Sequence, residues 1–62
     1  MPNTVVILVK TYLVGQMTYK EIVTRIQGVD PSVSDCEISL ALAVLVNERR
    51  VRWLNNRKFE LA

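Results

Sequence analysis

Arg49, Arg50, Arg52, Arg57 and Lys58 put five cations within ten positions, interleaved with Trp53 and Phe59. Guanidinium and ammonium groups at that density suit a row of phosphates, each neutralising a negative charge and releasing its counterions. The competing reading is a solvated hairpin whose charges keep a sheet edge from pairing with other chains. Trp53 and Phe59 could stack on bases. An aromatic pair on one hairpin face more often packs on helices, and core packing is the expectation here.

The charge is unevenly spread. Residues 1–46 sum to −1 and residues 47–62 to +3, within a total of +2 over 62 residues. A positive field confined to the C-terminal quarter says more about a partner than the total does. Lys20 and Arg25, farther upstream, could add phosphate contacts.

Other chemistry is poorly supplied. The chain has no histidine and one cysteine, Cys36, so a Cys/His zinc site, a His-based triad and an internal disulfide are excluded. Cys36 has no basic neighbour to activate it. Asp30, Asp35 and Glu37 cluster in sequence, but no catalytic partner set or Gly-rich phosphate loop accompanies them. The reading is a non-enzyme with no cofactor, no metal and no small-molecule substrate. A single cysteine suits a reducing compartment such as the cytoplasm. The apolar run Val5–Val9 ends at Lys10, too short to span a membrane, and lacks signal-peptide flanks.

Those cations must be positioned by a small scaffold. A chain this short buries only about 60% of its unfolded surface, and half of its residues are hydrophobic. Asn3 can cap a helix over about 4–14, with Val5, Leu8, Val9, Tyr12 and Leu13 at helical spacing and Gly15 at its end. The β-branched residues there would also suit a strand, but the length favours a helix. Thr18 and Glu21 form a T-x-x-E capping box, with Met17 stapled to Ile22, and open a second helix over about 19–27 that Gly28 stops. Asp30-Pro31 initiates a turn. Ser34 and Glu37 repeat the box and open a third helix over about 35–48. Its core face should carry Ile38, Ala41, Leu42, Leu45 and the stem of Arg49. Cys36, Leu40, Ala43, Val44 and Asn47 lie on the reverse face.

Residues 50–61 read as a hairpin about Asn55-Asn56. A two-residue loop would pair Trp53 with Lys58 and mix charge with aromatics on both faces. Adding Arg57 to the loop pairs Trp53 with Phe59, Val51 with Leu61 and Arg52 with Glu60, giving one apolar face and an opposite-charge pair. The second register is preferred, although it asks Arg57 to be left-handed.

Three helices followed by a hairpin make an α+β chain, read as a single domain over 1–62. On Met17–Ile22, on Ile38, Leu42 and Leu45, and on the segment 50–61, it resembles the winged helix-turn-helix superfamily, over nearly its whole length and through polarity and capping patterns alone. The resemblance implies a third helix beside DNA, a hairpin wing, and a one-step strand pairing of Gln16 and Met17 with that wing. The third helix departs from groove-reading members. Ser32, Ser34, Asp35, Glu37, Leu40, Val44 and Asn47 are its available positions, and none is basic.

The expected function is therefore a small DNA-binding regulator in transcription or replication control, of a size that suits a phage or plasmid. It would grip duplex phosphates through Arg49, Arg50, Arg52, Arg57, Lys58, Lys20 and Arg25, with sequence preference from Ser34, Asn47, Asn55, Asn56 and Arg57 or from DNA shape. Leu40, Ala43, Val44 and Asn47 could form a homodimer interface, or the N-terminal helix could cover them. The alternative is a protein–protein module that docks or inhibits a larger partner through its apolar, acidic third helix.

Overall fold

The computed structural model describes residues 3–62. Its elements run α1 (Asn3–Tyr12), β1 (Met17–Thr18), α2 (Tyr19–Val29), α3 (Asp35–Asn47), β2 (Val51–Trp53) and β3 (Lys58–Leu61). The chain is α+β: three helices and a three-stranded antiparallel sheet in the order β1-β3-β2. The helices-then-hairpin layout is as expected from the sequence.

Both capping boxes are formed. The Thr18 hydroxyl accepts from the Glu21 N–H at 3.2 Å, and the Glu21 carboxylate accepts from the Thr18 N–H at 2.9 Å. Ser34 and Glu37 make the same reciprocal pair, both at 3.2 Å. Each box satisfies backbone donors that the first turn of a helix leaves free. The capping expected of Asn3 rests on a side chain outside the described residues.

Helix ends depart from the sequence reading in three places. Gly15 is left-handed, with φ 62°, but it stands in the turn before β1, because α1 stops at Tyr12. Gly28 does not stop α2: the helix runs through it to Val29. What ends it is Pro31, which disfavours helical backbone at Asp30, and Asp30 is extended at φ −139° and ψ 92°. The Asp30 carboxylate then accepts from the Ser32 N–H (3.1 Å) and hydroxyl (2.6 Å), fixing the turn into α3. At the end of α3, Arg49 is left-handed at φ 62° and exposed, so its stem is not part of the core face. The Arg49 N–H donates to the Val46 carbonyl (3.0 Å) and the Arg50 N–H to the Leu45 carbonyl (2.9 Å). That is a Schellman closure with arginine where glycine is usual.

The hairpin takes the three-residue loop. Trp53 pairs with Phe59, Arg52 with Glu60 and Val51 with Leu61, and Arg57 is left-handed at φ 62°. The third strand is Met17–Thr18, one residue on from the expected Gln16 and Met17, with Met17 opposite Phe59 and Thr18 opposite Lys58.

One core serves all elements. Val5 and Val9 from α1, Ile22 and Ile26 from α2, and Ile38, Ala41, Leu42 and Leu45 from α3 are buried with Leu13, Met17, Val33 and Val51. Four of those come from the predicted face of α3. Fully burying each large aliphatic side chain contributes about 1.5–3 kcal/mol, so this cluster holds the helices in place. No buried side-chain polar atom lacks a hydrogen-bond partner among the described residues.

Candidate functional site

The hairpin divides the surface into two faces, since side chains alternate along its strands. Arg52, Lys58 and Glu60 lie on one face, and Val51, Trp53, Phe59 and Leu61 on the other.

On the charged face, Arg52 Nη2 meets Glu60 Oε1 at 2.6 Å, the cross-strand pair read from the sequence. That guanidinium is thus partly engaged. Gln16 bridges here too, donating to Glu60 at 3.5 Å and accepting from Asn56 at 3.4 Å. Asn56 Oδ1 also accepts from the Lys58 N–H at 3.2 Å, so this side chain serves the turn. Asn55 and Arg57 are exposed at the tip. Arg50 lies 3.6 Å from Glu48, an exposed contact that contributes at most about 1 kcal/mol.

The pairing of β1 with β3, expected one residue earlier, has a consequence for charge placement. It sets Lys58 opposite Thr18, at the start of α2. Lys20 and Arg25 line a shallow depression there with Met17, Thr18, Glu21 and Thr24. Glu21, the carboxylate of the capping box, has its pKa lowered first by the Thr18 hydrogen bonds, then by the nearby charges of Lys58 and Arg25. Two cations from distant segments, Lys58 and Arg25, therefore act on one carboxylate that is already committed to a helix end.

No family model, curated protein or solved structure matches this chain. The site has to be understood from its own geometry.

Ser34, a candidate base contact, has its hydroxyl tied to Glu37 in the second capping box. Arg49 sits beyond the end of α3, away from the α2 cations in sequence and held by the helix closure. The expected nucleic-acid set is thus split. Lys20, Arg25 and Lys58 gather beside α2, with Arg52 on the same sheet face as Lys58, while Arg49 and Arg50 mark the end of α3.

The opposite face corrects the expected aromatic packing. Trp53 is 54% exposed, and only Phe59, half-buried, packs on the core. The two rings are tilted against each other with centroids 4.6 Å apart, a favourable edge-biased geometry. With Tyr19, Leu42, Ala43 and Val46 the rings border an open groove of about 600 Å³. The Tyr19 hydroxyl donates to the Asp35 carbonyl at 2.8 Å and ties the starts of α2 and α3 together. Partial burial and then the Asp35 carboxylate push the Tyr19 pKa up, keeping that donor protonated.

Leu40 (55% exposed), Ala43 and Asn47 are open to solvent, and Val44 is half-buried. The N-terminal helix does not cover them. Cys36 is free and exposed. No helix of the described residues is long and apolar enough to cross a membrane, and they contain no group of three or more metal-ligating side chains.

Proposed function

We propose that this chain is a non-catalytic module that binds duplex DNA along its phosphate backbone. The observation that carries the reading is the strand pairing that sets Lys58 opposite Thr18, so that Lys58 and Arg25 both act on Glu21 beside the depression that Lys20 and Arg25 line. Phosphates lie at fixed intervals along a duplex, and cations from separate segments on one surface can engage several at once. Arg57 and Asn55, exposed at the hairpin tip, extend that surface toward a groove. The three-helix-and-hairpin arrangement is consistent with the winged-helix resemblance and supports the same reading.

The outer face of α3 departs from groove reading. It offers Leu40, Ala43 and Cys36 to solvent, and its Ser34 hydroxyl is occupied. Binding is therefore weakly selective and electrostatic, with sequence preference arising from DNA shape or from the hairpin tip.

Fluorescence anisotropy on a labelled duplex, titrated across salt, tests this. Affinity should fall steeply as salt rises, and Lys58→Gln and Arg25→Gln should each reduce the log–log salt slope by about 1. Arg52→Gln should change it less, because Glu60 already holds that guanidinium. Absence of binding to any duplex at low salt would sink the reading.

A further inference from the structure

We propose that the outer face of α3, with the groove beside it, binds a second copy of this chain, α3 against α3 and antiparallel about a two-fold axis. The proposal does not rest on DNA binding.

Cys36, Leu40, Ala43 and Asn47 are spaced 4, 3 and 4 residues apart, the repeat of a coiled-coil seam, and all four are exposed. A two-fold axis between Leu40 and Ala43 places each Leu40 over the second copy's Ala43. Large over small lets the two helix backbones approach closely, and Cys36 of each copy then faces Asn47 of the other.

Charge selects both the occupant and its direction. The first turn of α3 carries Asp35 and Glu37, and the segment just past its end carries Arg49 and Arg50 with Glu48, so one end is acidic and the other remains net positive after the exposed Glu48–Arg50 contact. Antiparallel copies bring acidic ends beside basic ends at both edges and oppose the helix dipoles. Parallel copies would set like charges together at each end. The surface is thus complementary to itself under a two-fold rotation, as an isologous interface requires.

The groove supplies area that the seam lacks. A stable interface takes about 800 Å² from each partner, roughly a fifth of the 4194 Å² this chain exposes. A single helical stripe is too narrow for that. Ala43 and Asn47 belong both to the seam and to the groove wall, so a helix seated on the seam also covers Trp53 and Phe59. The cationic face of the hairpin points the other way and stays free.

Sedimentation equilibrium should give twice the chain mass for the wild type. It should give the monomer mass for Ala43→Glu, with unchanged circular dichroism because Ala43 is exposed. The direction is read from a disulfide. Cys36 and position 47 lie about 16 Å apart along one helix, too far to bridge within a chain. Mild oxidation of Asn47→Cys should therefore yield a covalent dimer whose peptide map joins Cys36 to the introduced thiol, and wild type should yield none. A wild type that stays monomeric at the highest soluble concentration overturns the proposal. So does a covalent wild-type dimer linked Cys36 to Cys36.

Discussion

Helices α2 and α3 begin alike and end up unlike. Each opens with a hydroxyl three residues before a glutamate, and each box closes with the same reciprocal hydrogen bonds. Beyond the first turn they diverge. In α2, Ile22 and Ile26 are buried while Lys20, Glu21, Thr24 and Arg25 face water. In α3 the buried Ile38, Ala41, Leu42 and Leu45 are backed by Leu40 and Ala43, which also meet water. Local capping chemistry decides where a helix starts and nothing about what its outer face does. The function of each helix lies in residues its start signal does not touch.

The comparison breaks most strongly in the core they share. Ile26→Ala and Ile38→Ala should each lose about 2–5 kcal/mol in chemical denaturation. Equal losses would show that the two helices contribute alike through their inner faces, whatever their outer faces do. Removing the hydroxyls probes the likeness itself. Thr18→Ala and Ser34→Ala should each cost about 1 kcal/mol, and a much larger cost at one site would mean that its box also holds tertiary structure. Gly28→Ala sharpens a difference, since only α2 carries an interior glycine. A methyl there meets nothing within 4 Å, and the change should stabilise by about 0.5–1 kcal/mol.

The smallest effect concerns pH. The Glu21 pKa lies below its ordinary 4.5 in the folded chain. Its contribution is thus fully present above the unfolded value and lost as pH falls through the folded one. Acid titration of the Glu21→Gln variant should show a shallower loss of stability below about pH 4.5 than wild type. Parallel acid curves would show that the carboxylate charge contributes nothing.

What the sequence made legible was local or strictly alternating. Both capping boxes depend on residues three apart, and the hairpin register follows from keeping Val51, Trp53, Phe59 and Leu61 on one face. The Gly28 reading failed because two stop signals compete within four residues, and the steric demand of Pro31 on Asp30 is the stronger. Arg49 gave no sign of a left-handed backbone, since its side chain lacks the glycine signature of that position. Trp53 was assigned to the correct face but not to its depth: it borders an open groove beside α3 and is not packed into the core, and alternation along a strand gives a face and no depth. For the candidate site, the Arg52–Glu60 pair could be read along the hairpin. The approach of Lys58 to Arg25 was not read, because the strand pairing implied by the resemblance was one residue out and named no partner on the hairpin, and the true register sets Thr18 opposite Lys58.

That same strand pair bears on how the chain reaches its fold. β3 is the last element in sequence and the middle strand in space, hydrogen-bonded on one side to β2 and on the other to β1. The capped helices draw on short-range contacts and can begin to form as soon as their residues exist. The sheet cannot, since its first strand has no partner until residues 58–59 have been synthesised. Closing a loop of about 40 residues costs entropy before any pairing offsets it. Sheet pairing and charge assembly are therefore coupled: Lys58 joins the α2 cations only when β3 pairs with β1.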